Sequence, residues 1–203
     1  MYQCIVYTYL IIAKFAFRIR TTAITLELEN TDSNSLAITL RPYRLSDAED
    51  FLTYAGDERV TQFTRWDTFT SKEQALSYIK DFCIPHSYCK SICISDRSIG
   101  FLFIKPQGDD DRCRAEVGYA LAAEYWGQGI ATRALKMAII DVFKEVTDLV
   151  RLQATVLVEN KGSQRVLEKL GFHKEGLLRM YTIHKGTTSD LFIYSLLSTD
   201  PMP

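Results

Sequence analysis

Tyr125-Trp126-Gly127-Gln128-Gly129-Ile130-Ala131-Thr132 is the stretch on which the reading of this chain turns. Ahead of it, Ala115 to Leu121 reads as a strand, and within it an amphipathic helix pattern opens. Glycines at 127 and 129 let the backbone curl and, lacking side chains, let a ligand approach the main chain. The first N–H groups of a helix have no partner inside it, and with the helix dipole they form an anion site. The stretch therefore predicts a pyrophosphate cradle at a strand-to-helix junction.

Working outward, the helix is predicted from about Gly129 to Val146. Ile130, Ala134, Leu135, Ala138, Ile139, Val142 and Phe143 recur there with a 3.6 period. Arg151 to Val158 reads as a strand whose apolar run predicts burial on both faces. Asn160 opens a further helix with Val166, Leu167 and Leu170 on one face, ended by Gly171. Leu177 to His184 and Asp190 to Leu197 predict a closing hairpin about Lys185-Gly186. Upstream, residues 30–35 are a polar linker, and Leu36 to Leu40 predicts the first strand. Ser46 with Glu49 forms a capping-box pattern for a helix reaching Ala55, closed by Gly56. Ser71 with Gln74 opens a second helix through Phe82, broken by Pro85. Ser91 to Ile94 and Ile99 to Ile104 flank the polar turn Asp96-Arg97-Ser98, and Arg114 to Leu121 is the next strand.

The 203 residues, 47% apolar and 24% charged, suit one globular domain, placed at 36–200 with residues 1–35 as a poorly ordered or atypical extension. A net charge of −1 gives no electrostatic footprint for nucleic acid. Five cysteines form no CxxC pair, which reads as reduced thiols in a cytoplasmic protein with no metal site. The apolar run Cys4 to Phe17 falls short of the ~18 residues a membrane span requires. Arg-rich, acid-poor character up to Thr25 faintly suggests an organelle transit segment.

Three phosphate loops compete for the glycine stretch. A P-loop requires Gly-Lys followed by Ser or Thr, and no such tripeptide occurs. A dinucleotide turn requires a third Gly or Ala where Thr132 stands, and an acidic residue about twenty positions on, whereas Glu159 lies further. It is also tight where this chain inserts Ala122 to Trp126.

The third fits. Gly-x-Gly-x-Ala at a helix start, after a strand and short loop, resembles the acetyl-CoA loop of the GCN5-related N-acetyltransferase (GNAT) superfamily. That family's pattern is Gln/Arg-x-x-Gly-x-Gly/Ala; here Trp126 replaces Gln or Arg, as in the branch that acetylates ribosomal-protein N-termini. Leu40-Arg41-Pro42 with Ser46-Asp47-Ala48, Glu116-Val117-Gly118-Tyr119, Asn160-Lys161-Gly162-Ser163, Leu170-Gly171-Phe172, and Gly186, Asp190 and Tyr194 look like further segments of that branch, in its plant members.

The resemblance implies an α/β acyl-CoA N-acyltransferase fold: a mixed, mostly antiparallel sheet with splayed central strands, flanked by helices. It implies acetyl-CoA as cosubstrate, no metal, and direct transfer of acetyl to a primary amine on a protein or peptide, by a monomer or homodimer. A small-molecule amine is the alternative acceptor, and a non-catalytic acyl-CoA-binding module the alternative class.

Within that frame Gly129, Ile130, Ala131 and Thr132 present N–H groups to the pyrophosphate, with Gln128 nearby. Leu121 and Ala123 offer main-chain bonds to the pantetheine arm. Asn160 contacts the cofactor besides capping its helix, and Ser163 reaches the thiol end. Glu116 is the candidate base, with a structural ion pair to Arg112 or Arg114 as its alternative reading. Tyr181 and Tyr194 are candidate proton donors to the thiolate; each reads first as a half-buried strand aromatic. His86, His184 and Cys113 read as ordinary loop residues. Arg65-Trp66 reads as lining the acceptor site, with a core-capping Trp as the equal alternative, and the loops at about 57–70 and 84–90 face the acceptor.

Overall fold

The computed structural model describes residues 36–203; the expectations for residues 1–35 fall outside it. One mixed sheet of seven strands carries the chain: β1 (Thr39–Pro42), β2 (Cys89–Ile94), β3 (Arg97–Pro106), β4 (Arg114–Leu121), β5 (Arg151–Leu157), β6 (His173–His184) and β7 (Thr187–Leu197). Their order is β1-β2-β3-β4-β5-β7-β6, antiparallel throughout except for the β4–β5 pair. The helices are α1 (Ala48–Ala55), α2 (Glu58–Thr61), α3 (Lys72–Tyr78, continued by a π turn over Ile79–Cys83), α4 (Ile130–Glu145) and α5 (Lys161–Lys169).

Side-chain alternation along the central strands divides the interior in two. Leu102 and Ile104 of β3 and Val117 and Leu121 of β4 join the core beneath α4 and α5, with Ile130, Leu135, Ile139, Leu167 and Leu170. Phe101 and Ala120 face the other way, into an aromatic core with Phe51, Tyr54, Ile79 and their neighbours on α1 and α3. Glu116 and Gly118 share the side of Ala120. The expected buried stripe of α4 forms as read: Ile130, Ala134, Leu135, Ala138, Ile139 and Val142 are all buried, with Phe143 packed at the margin.

Several local readings are corrected. Ser46 does not cap the first helix. Asp47 is gripped by Arg41 through two 2.8 Å bonds and accepts the Arg44 N–H, so a 3-10 turn over Leu45–Asp47 precedes α1. The first strand begins at Thr39 and runs through Pro42, which an edge strand tolerates. Strand β5 alternates instead of being buried on both faces: Leu152, Ala154 and Val156 enter the core while Arg151, Gln153 and Thr155 are half-buried. The β2–β3 turn is Ser95-Asp96, both left-handed at φ 49° and 65°, and Asp96 is held there by Arg41 and Arg44.

The outer strands are tied by Arg151, whose guanidinium bonds Glu175 at 2.7 and 2.6 Å, and by Ser195 Oγ donating to Glu175 Oε1 at 2.7 Å. Chiefly through the Arg151 bond, and then through Ser195, the Glu175 carboxyl falls from its ordinary 4.5 to about 2. Its pKa is lower folded than unfolded, so its stabilisation is present above pH 4.5 and is lost as pH falls towards 2. Glu175→Gln is therefore expected to be less stable than wild type at pH 6 and to converge on it only as pH falls to about 2 and below. Urea midpoints across that range check this, and a constant gap refutes it.

Candidate active site

Strands β4 and β5 pair only at Arg114–Arg151, Ala115–Leu152 and Glu116–Gln153. Beyond Glu116 they part, β4 running on to Leu121 and β5 to Leu157 without pairing. The free groups follow from the register. Ala122 N donates to Ile99 O at 2.9 Å, so alternate residues back along β4 bond β3. Val117, Tyr119 and Leu121 then turn their main-chain N–H and C=O groups into the gap. Being parallel, both strands end on the same side, where β4 leads into the glycine loop and β5 into Asn160.

In that loop Gly127 and Gly129 are both left-handed, at φ 76° and 74°. A Cβ added at either would meet nothing within 4 Å, so open space lies over the loop. Gly129 is the N-cap of α4 and no side chain caps the helix. The first helical bond is Arg133 N to Gly129 O at 3.0 Å, which leaves the N–H groups of Ile130, Ala131 and Thr132 without an intrahelical partner. Gln128 is turned away: its Nε2 donates to Glu124 O at 2.8 Å and ties the loop. Trp126 Nε1 donates to Leu121 O at 2.8 Å, so the indole that replaces Gln or Arg staples the five-residue insertion to the end of β4. That leaves Leu121 its N–H, while the Ala123 carbonyl accepts from Trp126 N.

On the β5 side, Asn160 Oδ1 accepts the Ser163 N–H at 3.0 Å, capping α5 as read and leaving its amide NH2 without an acceptor among the described residues. Tyr119 reaches from β4 and donates its hydroxyl to Ser163 O at 3.2 Å. Burial pushes that hydroxyl above its usual range, against the opposing effect of the bond to Ser163, so it stays protonated. The gap, the uncapped helix end, Asn160 and Ser163 thus occupy one end of the sheet.

Glu116 lies on the opposite face of β4 from Tyr119, a third of its side chain exposed. Its ionic neighbour is Arg65, at 4.0 Å. Neither Arg114 nor Arg112 is used, because Asp111 and Asp148 engage them. Arg65 belongs to the loop after α2, against which the β6–β7 hairpin docks. His184 Nε2 contacts Gln62 O at 2.7 Å, and Lys185 Nζ donates to Trp66 O at 2.5 Å and Asp67 at 3.1 Å. Trp66 packs on Phe101 and Tyr78, and its Nε1–H is buried with no partner among the described residues.

Tyr181 is exposed on β6, which β7 separates from β5 in the sheet order. Tyr194 is buried on β7 and donates to Glu168 at 3.1 Å; burial first, then that bond, pushes its hydroxyl up to about 12. His86 bonds Phe82 O and Cys113 is exposed. Tyr119, the Trp126 staple and the docked hairpin escape sequence reasoning; the strand alternation that sets Tyr119 on the side of Val117 is the one signal that could have found Tyr119. Among the described residues, no cluster of His, Cys, Asp and Glu could hold a metal, and no helix is long and apolar enough to cross a membrane.

Residues 37–173 match the model of the acetyltransferase (GNAT) domain. The chain is 40% identical over 173 residues to a probable N-acetyltransferase, YjcK, of Bacillus subtilis, covering 80% of this chain and 95% of that one. It is 34% identical over 172 residues to an uncharacterized N-acetyltransferase, p20, of Bacillus licheniformis, covering 80% and 94%. A shorter match of 87 residues, 43% of this chain and 44% of the relative, is 30% identical to the [ribosomal protein uS5]-alanine N-acetyltransferase of Escherichia coli. Among solved structures, Mycobacterium smegmatis RimJ in complex with CoA-disulfide superposes with a TM-score of 0.68 at 26% identity, over 79% of this chain and 82% of that one. These relatives are bacterial, so the likeness to plant members has no support from them. With the parted parallel strands and the uncapped glycine-loop helix, they establish that this chain belongs to the GNAT family and is an acetyl-CoA-dependent N-acyltransferase.

Proposed function

We propose that this enzyme acetylates protein amines, N-terminal α-amines first, by direct transfer from acetyl-CoA. The observation that carries the reading is the open edge of β4 ending beside the uncapped start of α4. The pyrophosphate sits on the N–H groups of Gly129, Ile130, Ala131 and Thr132. The pantetheine amides extend along the gap as an added strand, using Leu121 and Ala123, while Gln128 contributes through the loop it braces. Asn160 offers its amide NH2 and Ser163 lies at the thiol end. The acceptor enters from the Glu116 face, so thioester and amine meet across β4. The acceptor class is supported by the partial likeness to the uS5-alanine enzyme. A small-molecule amine is the second reading.

In the reaction the amine nitrogen attacks the thioester carbon and the C–S bond breaks. Glu116 takes the proton from nitrogen, and the thiolate leaves with a proton from a hydroxyl. Holding amine and thioester together supplies most of the rate, and the β4 N–H groups polarise the carbonyl. We assign the hydroxyl to Tyr119, protonated and close to Ser163, with Tyr181 as the second candidate. Tyr119→Phe is expected to lower kcat about tenfold or more at unchanged affinity for acetyl-CoA, and Tyr181→Phe to leave kcat as it is. The reverse result would exchange the two roles.

The acceptor reading is tested by incubating the enzyme with acetyl-CoA and a panel of peptides and small amines, scored by mass spectrometry. Acetylated peptide N-termini are expected. Acetylation confined to small amines would overturn the protein reading, and saturable acetyl-CoA binding with no product anywhere would overturn the catalytic one.

A further inference from the structure

A groove of about 690 Å³ runs along α3, outside the acetyl-CoA site. Its floor is aromatic: Tyr78 stacks on Phe82 with ring centres 5.1 Å apart, and Phe69 packs edge-on to Tyr78 at 5.6 Å. Its rim carries three carboxylates, Asp67, Glu73 and Asp81, all exposed. Lys185 reaches one of them, Asp67, at 3.1 Å. Lys72 is turned away to Glu49, and Lys80, one residue before Asp81, stands roughly 100° round the helix from it. The groove therefore combines π faces with excess negative charge, a surface suited to ammonium and guanidinium groups.

One end of the groove lining is close in sequence to the acceptor loop. Asp67 lies two residues beyond Arg65, whose guanidinium is 4.0 Å from Glu116. Between them Trp66 packs edge-on against Tyr78 of the floor and keeps its buried Nε1–H unpaired among the described residues. An orphan donor of this kind is costly unless a group beyond the described residues satisfies it.

We propose that this groove binds a basic peptide segment, the part of the acceptor chain that trails the amine to be acetylated. The identity of that segment as acceptor rests on the protein-amine reading above; the charge and aromatic chemistry of the groove do not. Glu73 and Asp81 lie eight positions apart along α3 and its π turn, roughly 12 Å. About four extended residues cover that span, so lysines or arginines at alternate positions meet the rim while the intervening peptide crosses the aromatic floor.

The test uses fluorescein-labelled octapeptides whose N-termini are already acetylated, one with Lys and Arg at alternate positions, the other with Glu there. Fluorescence polarisation is expected to show the basic peptide binding at least tenfold tighter, with the advantage shrinking as salt rises. The exposed double substitution Glu73→Gln with Asp81→Asn should remove most of that preference at unchanged Tm. Ser77→Arg, which sets a cation on the groove lining, should do the same by a different route. Equal affinity for the two peptides, or full preference in both variants, overturns the proposal. Because the probes are blocked, binding is read apart from transfer. If the preference is seen and lost as expected while no free-amine peptide is acetylated, the protein-acceptor reading falls and the groove stands.

Discussion

Gly129→Glu is expected to lose saturable acetyl-CoA binding, its Kd rising about 100-fold or more, equivalent to about 2.7 kcal/mol. Two effects add at this position. Gly129 is left-handed at φ 74°, where a side chain strains the backbone by about 1 kcal/mol. A Cβ there also meets nothing within 4 Å, so a side chain starts out into the open space over the loop. A carboxylate there repels a pyrophosphate bound to the helix N–H groups, by roughly 1 to 4 kcal/mol at 4 Å between the limits of water and protein surface. Gly129→Ala separates the two, since it carries the strain without the charge. It should lower Tm by a few degrees and change Kd only slightly. Gly108→Glu, beyond the opposite end of β4 and equally uncrowded, controls for added charge and should bind as wild type. Isothermal titration with acetyl-CoA on folded protein decides the matter. If the glutamate and alanine variants weaken binding equally, backbone conformation and not anion recognition explains the glycine. If neither weakens it, the pyrophosphate lies elsewhere.

The elements that sequence reasoning placed well are those whose physics is local. The 3.6-period stripe of α4 becomes its buried face. Ser71 and Asn160 cap α3 and α5 because a side-chain oxygen three positions before a helical N–H has that partner within reach. The reading of α1 failed because Asp47 is committed to Arg41, a contact the capping pattern does not encode. Helix α2 was missed because four residues are too short to show a period; Asp57 starts it by accepting the Arg59 N–H. In the site, the glycine loop was legible because positive φ leaves a residue signature. The contacts that shape its surroundings were not. Trp126 to Leu121 O, Tyr119 to Ser163 O and Lys185 to Trp66 O each join a side chain to a main-chain carbonyl, and any residue supplies a carbonyl. Glu116 was picked out by chemistry and alternation, yet its partner Arg65 lies 51 positions upstream in a loop with no period at all.

Glu116→Gln is expected to lower kcat/KM for a peptide amine about 10²- to 10³-fold at pH 7, the range for losing a positioned base, while acetyl-CoA binds as before. The second half follows from geometry. Glu116 is on the α1 and α3 face of β4, whereas Tyr119 and the start of α4 belong to the other face. The first half follows from the amine. An N-terminal α-amine has a pKa of about 8, so at pH 7 it arrives mostly as ammonium and must lose a proton before or as it attacks. Glutamine keeps the shape of the side chain and cannot accept that proton. The deficit should therefore narrow as pH rises above about 8, where solvent has already removed it. A merely structural glutamate, holding Arg65 in place, predicts something else: a loss mainly in KM, constant with pH, and reproduced by Arg65→Ala. Steady-state rates from pH 6 to 9.5 for wild type and both variants distinguish the two. Should Glu116→Gln retain wild-type kcat/KM at pH 7, the proton leaves by another route and Glu116 is no more than the anchor of the acceptor loop.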